Sequence, residues 1–200
     1  MDQPLLATPP SAPVKLNVRG IKLTDDQFAL LCQENPDLRL ELTARQELVI
    51  MPPTGSKSGW RSGRSYYALT DWADQDGSGL TFDSSTGFTL PNGAKRSPDA
   101  SWVKSDRWDA LTEEQQESVA PLCPDFVLEV RSPTDRLLDL QEKMQEYIDN
   151  GARLGWLIDP INKRVYIYRP GQPAEMLDNP PTLRGDPILP GFVLNVHELW

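Results

Sequence analysis

Three residues of this chain have types and surroundings that can do chemistry together. Glu129 lies in the run Pro124-Asp125-Phe126-Val127-Leu128-Glu129-Val130-Arg131-Ser132-Pro133. That run reads as a short buried strand, with Phe126, Leu128 and Val130 on one face and Val127 on the other. A carboxylate inside such a strand is costly unless it is paired, protonated or bound to a metal. A second acid, Asp99, stands upstream in Ser97-Pro98-Asp99-Ala100-Ser101-Trp102-Val103, and Lys143 follows on an expected helix. Hydrolysing a phosphodiester requires an activated water and neutralised charge at phosphorus. Magnesium does both while taking one or two carboxylates and keeping waters and substrate oxygens. Asp99 and Glu129 can supply those ligands. A lysine then orients or deprotonates the water, or stabilises the developing charge. Each residue also has a plainer reading: Asp99 in a turn, Lys143 solvated on a helix, Glu129 in an ion pair with Arg131 or Lys143.

Other chemistries are excluded by what the chain lacks. His197 is its single histidine, so a His-rich zinc site cannot form, and Cys32 and Cys123 share no close motif. A Ser-His-acid triad would need His197, and no nucleophile-elbow sequence is present. Neither a Walker-type phosphate loop nor a GxGxxG occurs. Carboxylate, lysine and hard metal remain.

The elements that must position these residues can be read from patterning. Residues 1–18 are rich in Pro, Ala and Ser and are expected to form a flexible tail, leaving 19–200 as one domain. Thr24 caps a short helix over Asp25 to Leu31. Leu38–Leu42 and Glu47–Met51 read as a hairpin joined by Thr43–Gln46. A helical pattern runs from Ser58 to Asp74, and Lys57, Arg61 and Arg64 give it a basic start. Strands are expected over Gly79–Asp83, Gly87–Leu90, the Asp99 segment, Phe126–Val130, Gly155–Asp159 and Arg164–Tyr168. Asn92-Gly93 is a hairpin turn, and residues 104–122 read as a loop with a short helix near Thr112. Ser132-Pro133-Thr134-Asp135 has the form of a helix start. Leu137, Leu140, Met144 and Ile148 then recur at helical spacing up to Gly151. Residues 169–187 read as a Pro-rich loop, and Ile188–Val196 as a final strand.

Charge and hydropathy set the partners. A net charge of −9 argues against coating nucleic acid by charge alone, yet leaves room for a local basic rim. No apolar run approaches the roughly 20 residues of a membrane span, so no membrane partner is expected. The N-terminus shows no basic region followed by an apolar stretch, and the two cysteines read as reduced thiols, which points to the cytoplasm.

The motifs together resemble a known family. Pro98-Asp99, Pro124-Asp125-x-x-x-Glu129-Val130-x-Ser132-Pro133, Asp139-Leu140-x-x-Lys143-x-x-x-Tyr147, Gly151 and Trp156-Leu157-Ile158-Asp159 are similar to the Uma-type restriction endonucleases common in cyanobacteria. That family lies in the PD-(D/E)XK nuclease superfamily. Leu40-Glu41-Leu42, Glu47 to Met51, Pro53-Thr54-Gly55 and Gly87-Phe88-x-Leu90-Pro91-Asn92-Gly93 extend the resemblance over residues 21 to 200. The resemblance implies an α/β, restriction-endonuclease-like fold: a central mixed sheet flanked by helices, with an added N-terminal β-hairpin. It implies a Mg2+-dependent endodeoxyribonuclease, with Mn2+ as a substitute, DNA as substrate and a possible homodimer. Asp99 and Glu129 match the two metal-binding acids. The superfamily's lysine position is here Arg131, which cannot act as a base, and Lys143 matches the family's helix-borne lysine. Asp125 and Glu41 are accessory candidates; Lys57, Arg61, Arg64 and Arg131 are candidate substrate contacts. At Ser56-Lys57-Ser58-Gly59-Trp60-Arg61 the chain departs from many relatives, which carry His or Asn there. The alternatives are a nuclease-fold binding or regulatory module without turnover, and a structural protein whose acids form buried ion pairs.

Overall fold

The computed structural model describes residues 12–200. The elements, in chain order, are β1 (Val14–Asn17), α1 (Asp25–Glu34), β2 (Arg39–Leu42), β3 (Glu47–Met51) and α2 (Ser56–Asp76). There follow β4 (Gly79–Asp83), β5 (Phe88–Thr89), β6 (Lys95–Arg96), β7 (Ala100–Lys104), α3 (Ser105–Trp108) and α4 (Glu113–Gln116). The C-terminal half holds β8 (Phe126–Val130), α5 (Leu137–Asp149), β9 (Leu154–Asp159), β10 (Arg164–Tyr168), β11 (Glu175–Asp178), β12 (Thr182–Arg184) and β13 (Val193–Asn195). A 3-10 turn over Val196–Leu199 follows.

The central sheet has the order β11-β10-β9-β8-β7-β4. It is mixed: β8 and β9 are parallel, and every other neighbouring pair is antiparallel. A parallel pair cannot be joined by a tight turn, so the chain crosses over through α5. The strict alternation of β8 then separates two cores. Phe126, Leu128 and Val130 pack with Leu69 and Ala73 of α2, while Val127 packs with Met144, Tyr147 and Ile148 of α5. The sheet is therefore covered by a helix on each face, as expected. Glu129 shares the parity of Val127 and so points toward α5. Gly155 lets that helix come close: a Cβ there would sit 2.6 Å from Met144 Cε.

A second sheet, β1-β3-β2-β6-β5, forms the N-terminal part. The expected β2–β3 hairpin is present, with Arg39↔Met51 and Leu42↔Leu48 in register. Its Leu40, Leu42 and Leu48 pack on Phe28 and Leu31 of α1, which begins with a Thr24–Gln27 capping box. The opposite face, with Arg39, Glu41 and Thr43, is left for the site.

Several expectations change. Of the presumed tail, residues 1–11 lie outside the described residues, but Val14–Asn17 are strand β1, hydrogen-bonded along β3. Pairing there covers what would otherwise be the open edge of β3. Ser132 does not start α5: its N–H donates to Asp135 Oδ2 at 2.8 Å in a local turn, and the helix begins at Leu137. The segments read as a loop and a last strand contain β11, which extends the central sheet, and the separate β12–β13 ribbon. Leu183 and Leu194 of that ribbon close the α2 side of the core. Among the described residues no helix is long and apolar enough to cross a membrane.

Candidate active site

The polar face of the N-terminal sheet, the N-terminus of α2, the 132–136 turn and α5 enclose a cleft of about 1310 Å³. Its floor is built from the ends of strands. The β7–β8 ladder runs Trp102↔Phe126, Ser101↔Val127 and Ala100↔Leu128. One more step in that register sets Asp99 across from Glu129. Beyond the last ladder bond the Val130 N–H donates to Asp99 Oδ2 at 2.8 Å, which fixes the acid at the strand end. Two like charges facing each other across a ladder repel, so this arrangement calls for a cation.

One cation is Lys143. Its Nζ lies 2.7 Å from Glu129 Oε1 and 2.8 Å from Glu41 Oε1, and Ser97 O is 3.4 Å away. Tyr147, one turn later on α5, donates its hydroxyl to Glu129 Oε1 at 3.2 Å. Glu129 Oε2 receives no hydrogen bond from the described residues. Glu41 is more fully occupied. Its Oε1 also accepts the Ser97 N–H at 3.1 Å, and its Oε2 accepts from Arg96 at 3.0 Å. Arg96 in turn donates through Nε to Glu146 Oε2 at 2.6 Å.

The acids respond differently. Burial pushes Glu129 up to about 7, and nearby Asp99 and Glu41 add to the rise against the pull of Lys143. Burial also raises Asp99, offset only in part by the Val130 N–H and Lys143. For Glu41 burial acts the same way, but Lys143 and Arg96 outweigh it and bring the carboxyl down to about 2. Burial opposes the Lys143 ammonium, yet Glu129 and Glu41 prevail and raise its pKa, so it stays charged. Burial, with Glu129 next, keeps the Tyr147 phenol protonated and able to donate.

Asp99, Glu129, Lys143 and Glu41 are thus brought together. Glu41 is engaged through both oxygens, so it serves to hold Lys143 and Arg96 and is not an open ligand. Asp125 is not in the cleft. It lies at the far end of β8, where it accepts from the Lys104 N–H (3.0 Å) and pairs with Arg107 (2.9 Å). Arg131 turns to Asp159 at 3.0 Å, because Asp159 ends the neighbouring parallel strand. Arg61 is buried and donates to Leu199 O at 2.6 Å, and Arg64 pairs with Glu198, since the C-terminal turn covers that stretch of α2. Of the basic residues proposed for substrate, Lys57 alone lines the cleft.

Arg96, Glu146 and the role of Tyr147 were not evident from sequence. Their partners lie far along the chain, Arg96 and Glu41 being 55 positions apart. The spacing of Lys143, Glu146 and Tyr147 at i, i+3 and i+4, which puts all three on one helix face, was the available signal.

The cleft suits a hard divalent cation. Among the described residues no three His, Cys, Asp or Glu side chains converge as a ready metal cage. Magnesium does not require one, since it binds through one or two carboxylates and keeps its waters. Glu41, Asp99, Glu129 and Glu146 outnumber the cations set among them, which are Lys143, Arg96 and Arg39, the last acting on Asp99. Glu129 has an oxygen to offer a metal.

The fold has a counterpart among solved structures. The chain is similar to the crystal structure of a putative nuclease belonging to DUF820 from Anabaena variabilis ATCC 29413, with a TM-score of 0.73 and 20% sequence identity. The match covers 88% of this chain and 97% of that one, and at this identity it establishes the shared fold. No curated protein matches the chain. The family described as Uma2, putative restriction endonuclease, matches residues 25–197, and with that span of the sequence accounted for, the chain belongs to the Uma2 family.

Proposed function

We propose that the protein is a Mg2+-dependent DNA endonuclease, with Mn2+ able to substitute, in which Asp99 and Glu129 hold the metal and Lys143 assists the attacking water. The observation that carries this reading is the buried Glu129–Lys143–Glu41 cluster, set opposite Asp99 at the floor of an open cleft, with Glu129 sharing its one lysine with Glu41.

A bound divalent ion would supply Lewis-acid polarisation of the phosphate and a more acidic water. The protein does the rest. Asp99, tied to the Val130 N–H, and Glu129, tied to Lys143 and Tyr147, present their remaining lone pairs from strand ends that cannot shift independently. Lys143 stays an ammonium, so it acts as a donor and a fixed positive charge, not as a base. Two of its protons are directed at Glu41 and Glu129. The third meets only the Ser97 carbonyl at 3.4 Å, and it is the one available to the water or to a phosphoryl oxygen. Lys57 and Arg136 line the cleft without an ion pair among the described residues. They provide local attraction for a phosphate backbone on a chain of net charge −9.

The test is cleavage of supercoiled and linear duplex DNA with Mg2+ or Mn2+. Wild type should nick or cut it, and Asp99→Asn and Lys143→Met should not. A wild type that cleaves nothing with either ion, or a Lys143→Met variant as active as wild type, overturns the assignment. DNA retained equally with chelator and never cut would favour a binding module.

A further inference from the structure

Lys143 is shared between two carboxylates, and something must keep either from capturing it. Glu41 is placed to compete: its Oε1 takes Lys143 at 2.8 Å beside the Ser97 N–H, against 2.7 Å from Lys143 to Glu129 Oε1 beside the Tyr147 hydroxyl. The group that tempers Glu41 is Arg96. Its guanidinium is about nine-tenths buried, donates to Glu41 Oε2 at 3.0 Å, and reaches Glu146 Oε2 through Nε at 2.6 Å. Glu146 is itself fixed, since its Oε1 accepts from Asn92 Nδ2 at 3.1 Å. The Asn92 N–H in turn donates to Asn150 Oδ1 at 2.8 Å on the same helix. The fork of Arg96 therefore ties β6, β2 and α5 together directly behind Lys143.

Resting on the nuclease reading above, we propose that Arg96 is a positioning residue: by occupying one oxygen of Glu41 it keeps Lys143 divided between Glu41 and Glu129, and so holds the ammonium over the metal-facing acids. Arg96 acts through Glu41 and does not touch DNA. Lysine cannot replace it fully, because a single ammonium does not reproduce a planar fork held between two carboxylates.

Removing Arg96 raises the negative excess of the network by one and frees Glu41 to draw Lys143 away from Glu129. The two consequences run in opposite directions. Glu129, released from its lysine, should bind a divalent cation more tightly, while the lysine needed for turnover is displaced. The experiment compares wild type, Arg96→Gln, Arg96→Lys, Glu41→Gln and the Glu41→Gln/Arg96→Gln double variant. It measures Mn2+ affinity by electron paramagnetic resonance without DNA, and kcat and KM on duplex DNA. For Arg96→Gln we expect tighter Mn2+ binding, an unchanged KM and a kcat lowered roughly 10²-fold, the scale of a misplacement of about 1 Å. Arg96→Lys should fall between, and the double variant should recover part of the lost kcat, because the competitor has lost its charge.

A wild-type kcat in Arg96→Gln overturns the proposal, as does Mn2+ affinity that falls together with kcat. So does a double variant whose losses simply add. A raised KM with unchanged kcat would make Arg96 a DNA contact instead. Should Arg96→Gln not fold, the charge-balanced double variant and Arg96→Lys carry the same comparison. If wild type cleaves no DNA yet Arg96→Gln still binds Mn2+ more tightly, the nuclease reading fails and the role of Arg96 in dividing Lys143 stands. If wild type neither cleaves nor binds Mn2+, both fall.

Discussion

Asp125 and Glu129 lie four residues apart on one face of β8, and both are buried, at 2% and 5% exposure. Asp125 is met by a backbone N–H and the Arg107 guanidinium. Asp159, at the end of the adjacent strand, goes further: it accepts from Ile161 N, Asn162 N, Asn162 Nδ2 and Arg131. Asp125 does not share its two donors with another acid, Asp159 has four, and both acids stitch turns and strand ends together. Glu129 has one lysine, which it shares, and one phenol, and it faces Asp99. The difference separates a buried acid that holds the fold from one held ready for a ligand. Burial alone does not distinguish them, nor does the number of donors, which is two for Asp125 and two for Glu129; what differs is that Glu129 shares its lysine with Glu41 and faces a second carboxylate.

Lys143→Met or Glu129→Ala should lower kcat for DNA cleavage by about 10²–10⁴-fold, the range for loss of a positioned proton-transfer or donor group, while thermal melting shows a folded protein. Activity within a factor of a few of wild type would place the chemistry elsewhere.

The structural acids should show the reverse. Asp159→Ala strands Arg131 and two turn N–H groups, so it should cost about 3–5 kcal/mol in urea unfolding and leave Mn2+ affinity unchanged. A loss below ~1 kcal/mol would mean that Asp159 does not hold the β9–β10 turn as described.

The two kinds of acid also differ in their pH dependence. Glu129 has a folded value of about 7 against an ordinary 4.5. Between those values the unfolded chain has released a proton that the fold retains. Stability of the metal-free protein therefore falls as pH rises from 4.5 through 7, by roughly 3 kcal/mol from this group. Glu41, lowered to about 2, acts oppositely: its contribution is present above the ordinary value and is lost as pH falls toward 2. Urea midpoints across this range should show the neutral slope in wild type and its absence in Glu129→Gln. An identical slope in both would remove Glu129 as its source.

Sequence patterning revealed the frame well where a local rule governs it. The alternation of Phe126 to Val130, the periodicity of Leu140, Met144 and Ile148, and the Thr24 cap all act within one element, and each holds in the structure. The reading failed where a side chain rewired its own backbone, as Asp135 does in capturing the Ser132 N–H. It failed again where partners come from distant segments. Arg131 looked like the natural mate of Glu129, two positions away and of the same parity, but the strand ends at Val130, and beyond it Arg131 lies beside the end of β9 and pairs with Asp159. The Glu41–Lys143 pair spans 102 positions. No spacing rule could supply it, and only the family resemblance marked Glu41 at all.

The smallest effect concerns the rim. Lys15 of β1 pairs with Asp139 at 2.8 Å, but both side chains are substantially exposed. Lys15→Ala should change stability by about 0.2–1 kcal/mol, less at high salt. A larger loss would promote β1 from an edge that screens β3 to a principal support of the cleft.

The most direct test is the change in Tm on adding Mn2+ at neutral pH, compared across wild type, Asp125→Asn, Asp99→Asn and Glu129→Gln. A ligand that binds only the folded state raises Tm. Wild type and Asp125→Asn should both rise, and Asp99→Asn and Glu129→Gln should not. Equal shifts in all four, or none in wild type, would contradict the claim that Glu129, and not Asp125, is kept for a metal.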